Sequence, residues 1–113
     1  MGIKVLYLVK YENDQKAAMV ETAAMRDRAA IHRQAISDFG GTPIAQYGTH
    51  GEYDMAYIYE MPDQAHLAAN LHLTDSFGLA KYSKTVVLMD MDEYVESYEI
   101  AQKTPTKYSA ATE

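Results

Sequence analysis

His50-Gly51-Glu52-Tyr53-Asp54-Met55-Ala56-Tyr57-Ile58-Tyr59-Glu60-Met61-Pro62-Asp63 is the stretch that decides how the rest of the chain is read. Gly51 stands between two runs of strand-forming residues, where a glycine turns the chain without the steric cost of a Cβ. Beyond it the side chains alternate. Tyr53, Met55, Tyr57, Tyr59 and Met61 fall on one face, and Asp54, Ala56, Ile58 and Glu60 on the other. The spacing predicts a strand over 53–61, paired as a hairpin with the segment before it. Pro62-Asp63 then closes the strand and opens a helix.

Upstream, residues 42–49 read as the partner strand. Pro43 removes a ladder donor and marks a sheet edge. Gly40-Gly41 stops a helical region over 16–39. Met25, Ala29, His32, Ile36 and Phe39 recur at steps of four and three and share one helical face, flanked by Arg28 and Ala35. A break is expected near the first third of this region, and Asp14 is the expected N-cap. Residues 3–11 are apolar without alternation, as in a central strand buried on both faces. Downstream, a helix is expected to about residue 73, with Leu67, Ala68 and Leu71 inward. A loop with Gly78 follows, then a fourth strand over 81–90 and a short helix from Asp92 to about 101. Residues 1–101 make one domain and 102–113 a flexible tail.

The order is βαββαβ with a short C-terminal helix, the pattern of an α+β ferredoxin-like fold with a four-stranded antiparallel sheet. Two helices cover one face of such a sheet. Strands one, three and four are nevertheless apolar on both faces, and a large uncovered apolar patch is rare on a monomer. The expected cover is the same sheet of a second copy, giving a homodimer or higher homo-oligomer. The competing cover is the C-terminal helix and tail folded across the sheet.

Composition limits the function classes. The 113 residues carry a net charge of -6, which argues against a general nucleic-acid binder. No apolar run approaches the roughly 20 residues of a membrane helix. No signal-peptide pattern follows Met1, so the cytoplasm is the expected compartment. Cysteine is absent, while Tyr occurs 10 times and Met 7 times. Those two residue types suit a pocket or a subunit interface as well as a core.

Gly51-Glu52-Tyr53-Asp54, with Gly40-Gly41 upstream and an apolar strand ending at Pro62-Asp63, resembles the GYD-domain family and its Gly-x-Tyr-Asp signature. The resemblance spans about 4–95. It implies a dimeric α/β barrel of the ferredoxin-like superfamily. Its wider fold relatives range from cofactor-independent monooxygenases and lactone isomerases to haem enzymes and regulatory ligand-binding domains, so the fold does not select a reaction.

His32 is the candidate catalytic residue. Its face of the helix points at the sheet, where relatives of this fold hold ligands, and a neutral imidazole there could serve as a base or a hydrogen-bond donor. The alternative is a core histidine bonded to a Tyr hydroxyl or a carbonyl. Tyr7, Met55, Tyr57 and Tyr59 are the candidate ligand-binding cluster, and a Tyr-rich dimer interface is the competing reading. His72 reaches toward the sheet edge as a further ligand-binding candidate, while His66 is exposed. His50, Glu52 and Asp54 alternate around the turn, but no metal or other cofactor is assigned to them. The simpler expectation is that Asp54 pins the hairpin by accepting backbone N–H bonds. Three functions remain open: a small aromatic or hydrophobic ligand bound in an α/β barrel, with cofactor-independent proton transfer or oxygenation; a non-catalytic oligomerisation module; or a haem or metal enzyme.

Overall fold

The computed structural model describes residues 2–109. The chain runs β1 (Ile3–Tyr11), α1 (Asn13–Thr22), α2 (Met25–Asp38), β2 (Thr42–Gly48), β3 (Met55–Met61), α3 (Gln64–Ser76), β4 (Ala80–Leu88) and α4 (Met91–Lys103). The four strands form one antiparallel sheet in the order β2-β3-β1-β4. This is the expected ferredoxin-like arrangement, with β1 central and β2 at an edge.

As expected, the helical region over 16–39 is broken near its first third, giving two helices. Their junction is Ala23, a non-glycine residue in the left-handed region at φ 53°. Such a conformation costs an L-residue roughly 1–2 kcal/mol. Two backbone bonds close the first helix, Ala23 N–H to Val20 O and Ala24 N–H to Met19 O. Glu12, not Asp14, is the N-cap of α1; the Asp14 carboxylate accepts instead from the Gln15 N–H. The end of α2 follows expectation. Gly40 takes φ 80°, and the Gly41 N–H bonds Ile36 O at 2.9 Å. A Cβ on Gly41 would lie 2.5 Å from Met61 Sδ and 2.7 Å from Glu60 O. Gly41 therefore lets α2 turn directly against β3.

Cross-strand register assigns the two sheet faces. Val5 pairs Tyr59 and Val87, and Tyr7 pairs Tyr57 and Thr85. Val5, Tyr7, Val9, Tyr11, Met55, Tyr57, Tyr59 and Met61 form the core with Ile36 and Leu67. Met19, Met25, Phe39 and Leu71 pack against it. The helices therefore lie on this face. The opposite face carries Leu6, Leu8, Ile58 and Val86, none of them in that core.

Several expectations shift here. The Tyr-rich face is the one beneath the helices and not the open one, so it is no interface between sheets. β3 begins at Met55, leaving Tyr53 and Asp54 in the connection. β4 is an edge strand and does not bury both faces: Val87 is 61% exposed. In α3 the inward residues are Leu67 and Asn70, while Ala68 is exposed. Asp63 caps α3, its carboxylate accepting the His66 N–H at 2.8 Å.

The C-terminal helix does not fold across the open face. None of the α4 residues is buried, and Met91 and Tyr98 are 69% and 64% exposed. The radius of gyration is 18.0 Å, against about 13 Å for a compact chain of this length. The expected tail contributes its first two residues to α4, and residues 110–113 lie outside the described residues. Among the described residues no helix is long and apolar enough to cross a membrane.

Candidate functional site

A cavity of about 120 Å³ opens between α2, the end of α3 and the helix-covered face of the sheet. β1 contributes Tyr7, Val9 and Tyr11, and β3 contributes Tyr57. α2 supplies Arg28, Ile31, His32 and Ala35. Leu73, Thr74, Phe77, Leu79 and Ala80 close the far side. The strand residues meet there because alternate positions share a face. The α2 residues do so through the helical step that the Met25–Phe39 stripe announced.

His32 is the centre of the wall. Its ring stacks on Tyr57 with centroids 3.7 Å apart and planes 17° from parallel. Tyr7 lies 6.0 Å away at 15°, and Tyr59 meets the imidazole edge-on at 5.8 Å. Burial, reinforced by the Arg28 guanidinium, lowers the His32 pKa to about 4. The imidazole is therefore neutral at neutral pH. Burial likewise raises the hydroxyl pKa values of Tyr7, Tyr11, Tyr57 and Tyr59, so all four phenols stay protonated. The Tyr11 and Tyr57 hydroxyls bond each other at 2.8 Å.

Of the residues singled out from sequence, Tyr7, His32 and Tyr57 line this cavity together. Tyr59 is buried behind them and does not reach it. Met55 lines a separate depression with Tyr11, Met19 and Asp54. His72 is exposed on α3 and joins neither group. Sequence reasoning missed Tyr11, although it lies two and four residues beyond Val9 and Tyr7 on one strand face. It also left Arg28 beside the stripe without a role. Phe77 and Leu79 carried no signal, because they reach the cavity from the turn after α3.

The Gly-Glu-Tyr-Asp turn lies apart from the cavity and serves the architecture. Gly51 adopts φ 106°. The Thr49 N–H bonds Asp54 O at 3.0 Å, and the Asp54 N–H bonds Val9 O at 2.8 Å. The Asp54 carboxylate accepts the Tyr11 N–H at 3.0 Å and pairs with Lys16 and Lys10. Burial acts to raise its pKa, but these partners outweigh burial and hold it below the usual carboxylate value. As expected, Asp54 pins the connection by accepting a backbone N–H, one that belongs to β1. The Tyr82 hydroxyl donates to Glu52 O at 2.8 Å and ties β4 to the same turn. His50 and Glu52 are exposed. Among the described residues no three His, Cys, Asp or Glu side chains are grouped to hold a metal ion.

Among curated proteins none matches the chain. Residues 6–97 match the profile of the GYD domain. That span contains the whole sheet from Leu6 onward, the three packed helices and the Asp54 node. The Gly-x-Tyr-Asp signature and the element order agree with this match over most of the chain's length: the protein belongs to the GYD-domain family.

Proposed function

We propose that the protein is a homodimer in which each protomer binds one small aromatic or hydrophobic molecule in the His32 cavity. The observation that carries the ligand reading is the cavity itself, walled by the stacked Tyr7, His32 and Tyr57 rings instead of being packed solid. Ile31 and Phe77, 54% and 67% exposed, supply an apolar rim at which a ligand would displace water. Binding is favoured over proton transfer, because a histidine with a pKa near 4 is a weak base at neutral pH.

Self-association rests on separate observations. The sheet face opposite the helices carries Leu6, Leu8, Ile58 and Val86, and α4 is unburied. The chain exposes 8224 Å², about 2,000 Å² more than a compact monomer of its mass. That excess is in the range an obligate homodimer covers. A second copy is the occupant that matches both surfaces at once, because an isologous pair buries the same patch twice.

Native mass spectrometry of the purified protein tests both parts. The expected result is a dimer that carries a small-molecule adduct, lost in His32→Ala. A monomer at micromolar concentration removes the assembly reading. An apolar ligand set that binds His32→Ala with unchanged affinity removes His32 from the site.

A further inference from the structure

The cavity has one feature that a purely apolar ligand leaves unused. Among the described residues, Arg28 is the only charged one in its lining. The side chain is half-buried, and among the described residues its guanidinium has no ion-pair or hydrogen-bond partner. A guanidinium offers five N–H donors in a planar fork matched to a carboxylate. The Tyr11–Tyr57 pair adds a second donor. Two hydroxyls carry two protons, and their mutual bond uses one; among the described residues the other has no protein acceptor. The Thr74 hydroxyl, also in the lining, already donates to Asn70 O at 2.9 Å. The neutral His32 imidazole adds one donor and one acceptor nitrogen, so the Arg28 fork is the feature of the lining that favours an anion, and among the described residues no carboxylate lines the cavity to repel one. Asp75 acts electrostatically on Tyr7 from α3 but lies outside the lining and does not pair with Arg28.

Resting on the ligand-binding reading above, we infer that the cavity takes an anionic ligand, a single-ring aromatic carboxylate whose carboxylate is held by Arg28 and the Tyr11–Tyr57 hydroxyl pair. An enclosed apolar cavity of about 150 Å³ accommodates one benzene ring; this one, at about 120 Å³, is smaller but opens at the exposed Ile31 and Phe77 rim, where part of the ligand can project. The carboxylate stays at the Arg28 side, while the ring meets Phe77, Leu73 and the aromatic wall.

Benzoate and benzamide are nearly equal in shape and differ in charge, so they separate this inference from the reading beneath it. Each is titrated at pH 7 into the full chain, into Arg28→Gln and into Arg28→Lys, followed by protein-observed NMR. Benzoate should bind the unaltered protein more tightly than benzamide. It should lose about ten- to a hundredfold in Arg28→Gln and recover part of that in Arg28→Lys. Benzamide should be indifferent to both substitutions. Equal binding of the two probes to the unaltered protein overturns the anion inference and leaves the aromatic site standing. Absence of binding by either probe at millimolar concentration removes both. The two-probe comparison on the unaltered protein holds even if Arg28→Gln is poorly folded.

Discussion

Tyr59 and Ile58 are neighbours in one strand and experience opposite environments. Tyr59 lies under the helices at 1% exposure. Ile58 faces the other way, paired with Leu6 and Ala45 on a surface that the helical core does not reach. Both faces are apolar at the centre of the sheet. On one, apolarity builds a closed aromatic core with a cavity at its end. On the other, it leaves Leu6, Leu8, Ile58 and Val86 half-buried, outside that core. The lesson is that apolar character in a strand does not by itself say which face the chain's own helices cover.

Substitution can break this contrast directly. Tyr59→Ala empties a fully enclosed site and should cost about 3–5 kcal/mol, a large part of a small domain's stability. Ile58→Lys should leave the protomer folded and shift the proposed dimer to monomer. Chemical denaturation and sedimentation, run on both variants, should give opposite pairs of results. Loss of folding in both would mean that the open face is needed within the protomer.

Acid probes the covered face at His32. Its folded pKa, near 4, lies below the usual value of about 6.5. The unfolded chain therefore binds the proton first as pH falls. Stability should decline between about pH 6.5 and 4, by up to roughly 3 kcal/mol. The groups that face His32 are Arg28 on α2, Tyr7 on β1, and Tyr57 and Tyr59 on β3. Burial moves the three phenols further above that window. His32→Gln should flatten the urea-midpoint profile across it, and an unchanged slope would refute the assignment.

A smaller effect is expected at the turn. Asp54→Asn removes the charge that Lys16 and Lys10 share and weakens acceptance of the Tyr11 N–H. It should cost about 1–3 kcal/mol at neutral pH. The carboxyl is held below its usual value, so its contribution is complete above about pH 4 and fades as pH falls through the folded pKa. Thermal unfolding at pH 7 and pH 3 should show the penalty shrinking in acid.

The smallest change sharpens the contrast from inside the core. The Tyr59 hydroxyl is buried without a hydrogen-bond partner among the described residues. Tyr59→Phe should therefore be neutral or stabilising by about 1 kcal/mol. A loss of stability would mean that the hydroxyl has a partner in solution, a bound molecule included.

Local chemistry determined much of this protein from sequence alone. Two-residue alternation placed Tyr57 and Tyr59 on one face, and Gly40-Gly41 and Pro62-Asp63 bounded the helices. The resulting order specified a ferredoxin-like sheet with β1 at its centre. These features follow from φ/ψ preference and side-chain period, which act over a few residues. Tertiary structure decided the rest. The break near the first third of 16–39 was expected, but its form, a left-handed Ala23 with no Gly or Pro to announce it, was decided by packing. Asn70 occupies the inward position that Ala68 was expected to fill, since a helix's rotation is set by what it packs against. Arg28 gained its place at the cavity only when α2 met a turn some fifty residues away in sequence, near Phe77. Period and propensity describe a segment's own faces, whereas a site depends on which faces long-range packing brings together.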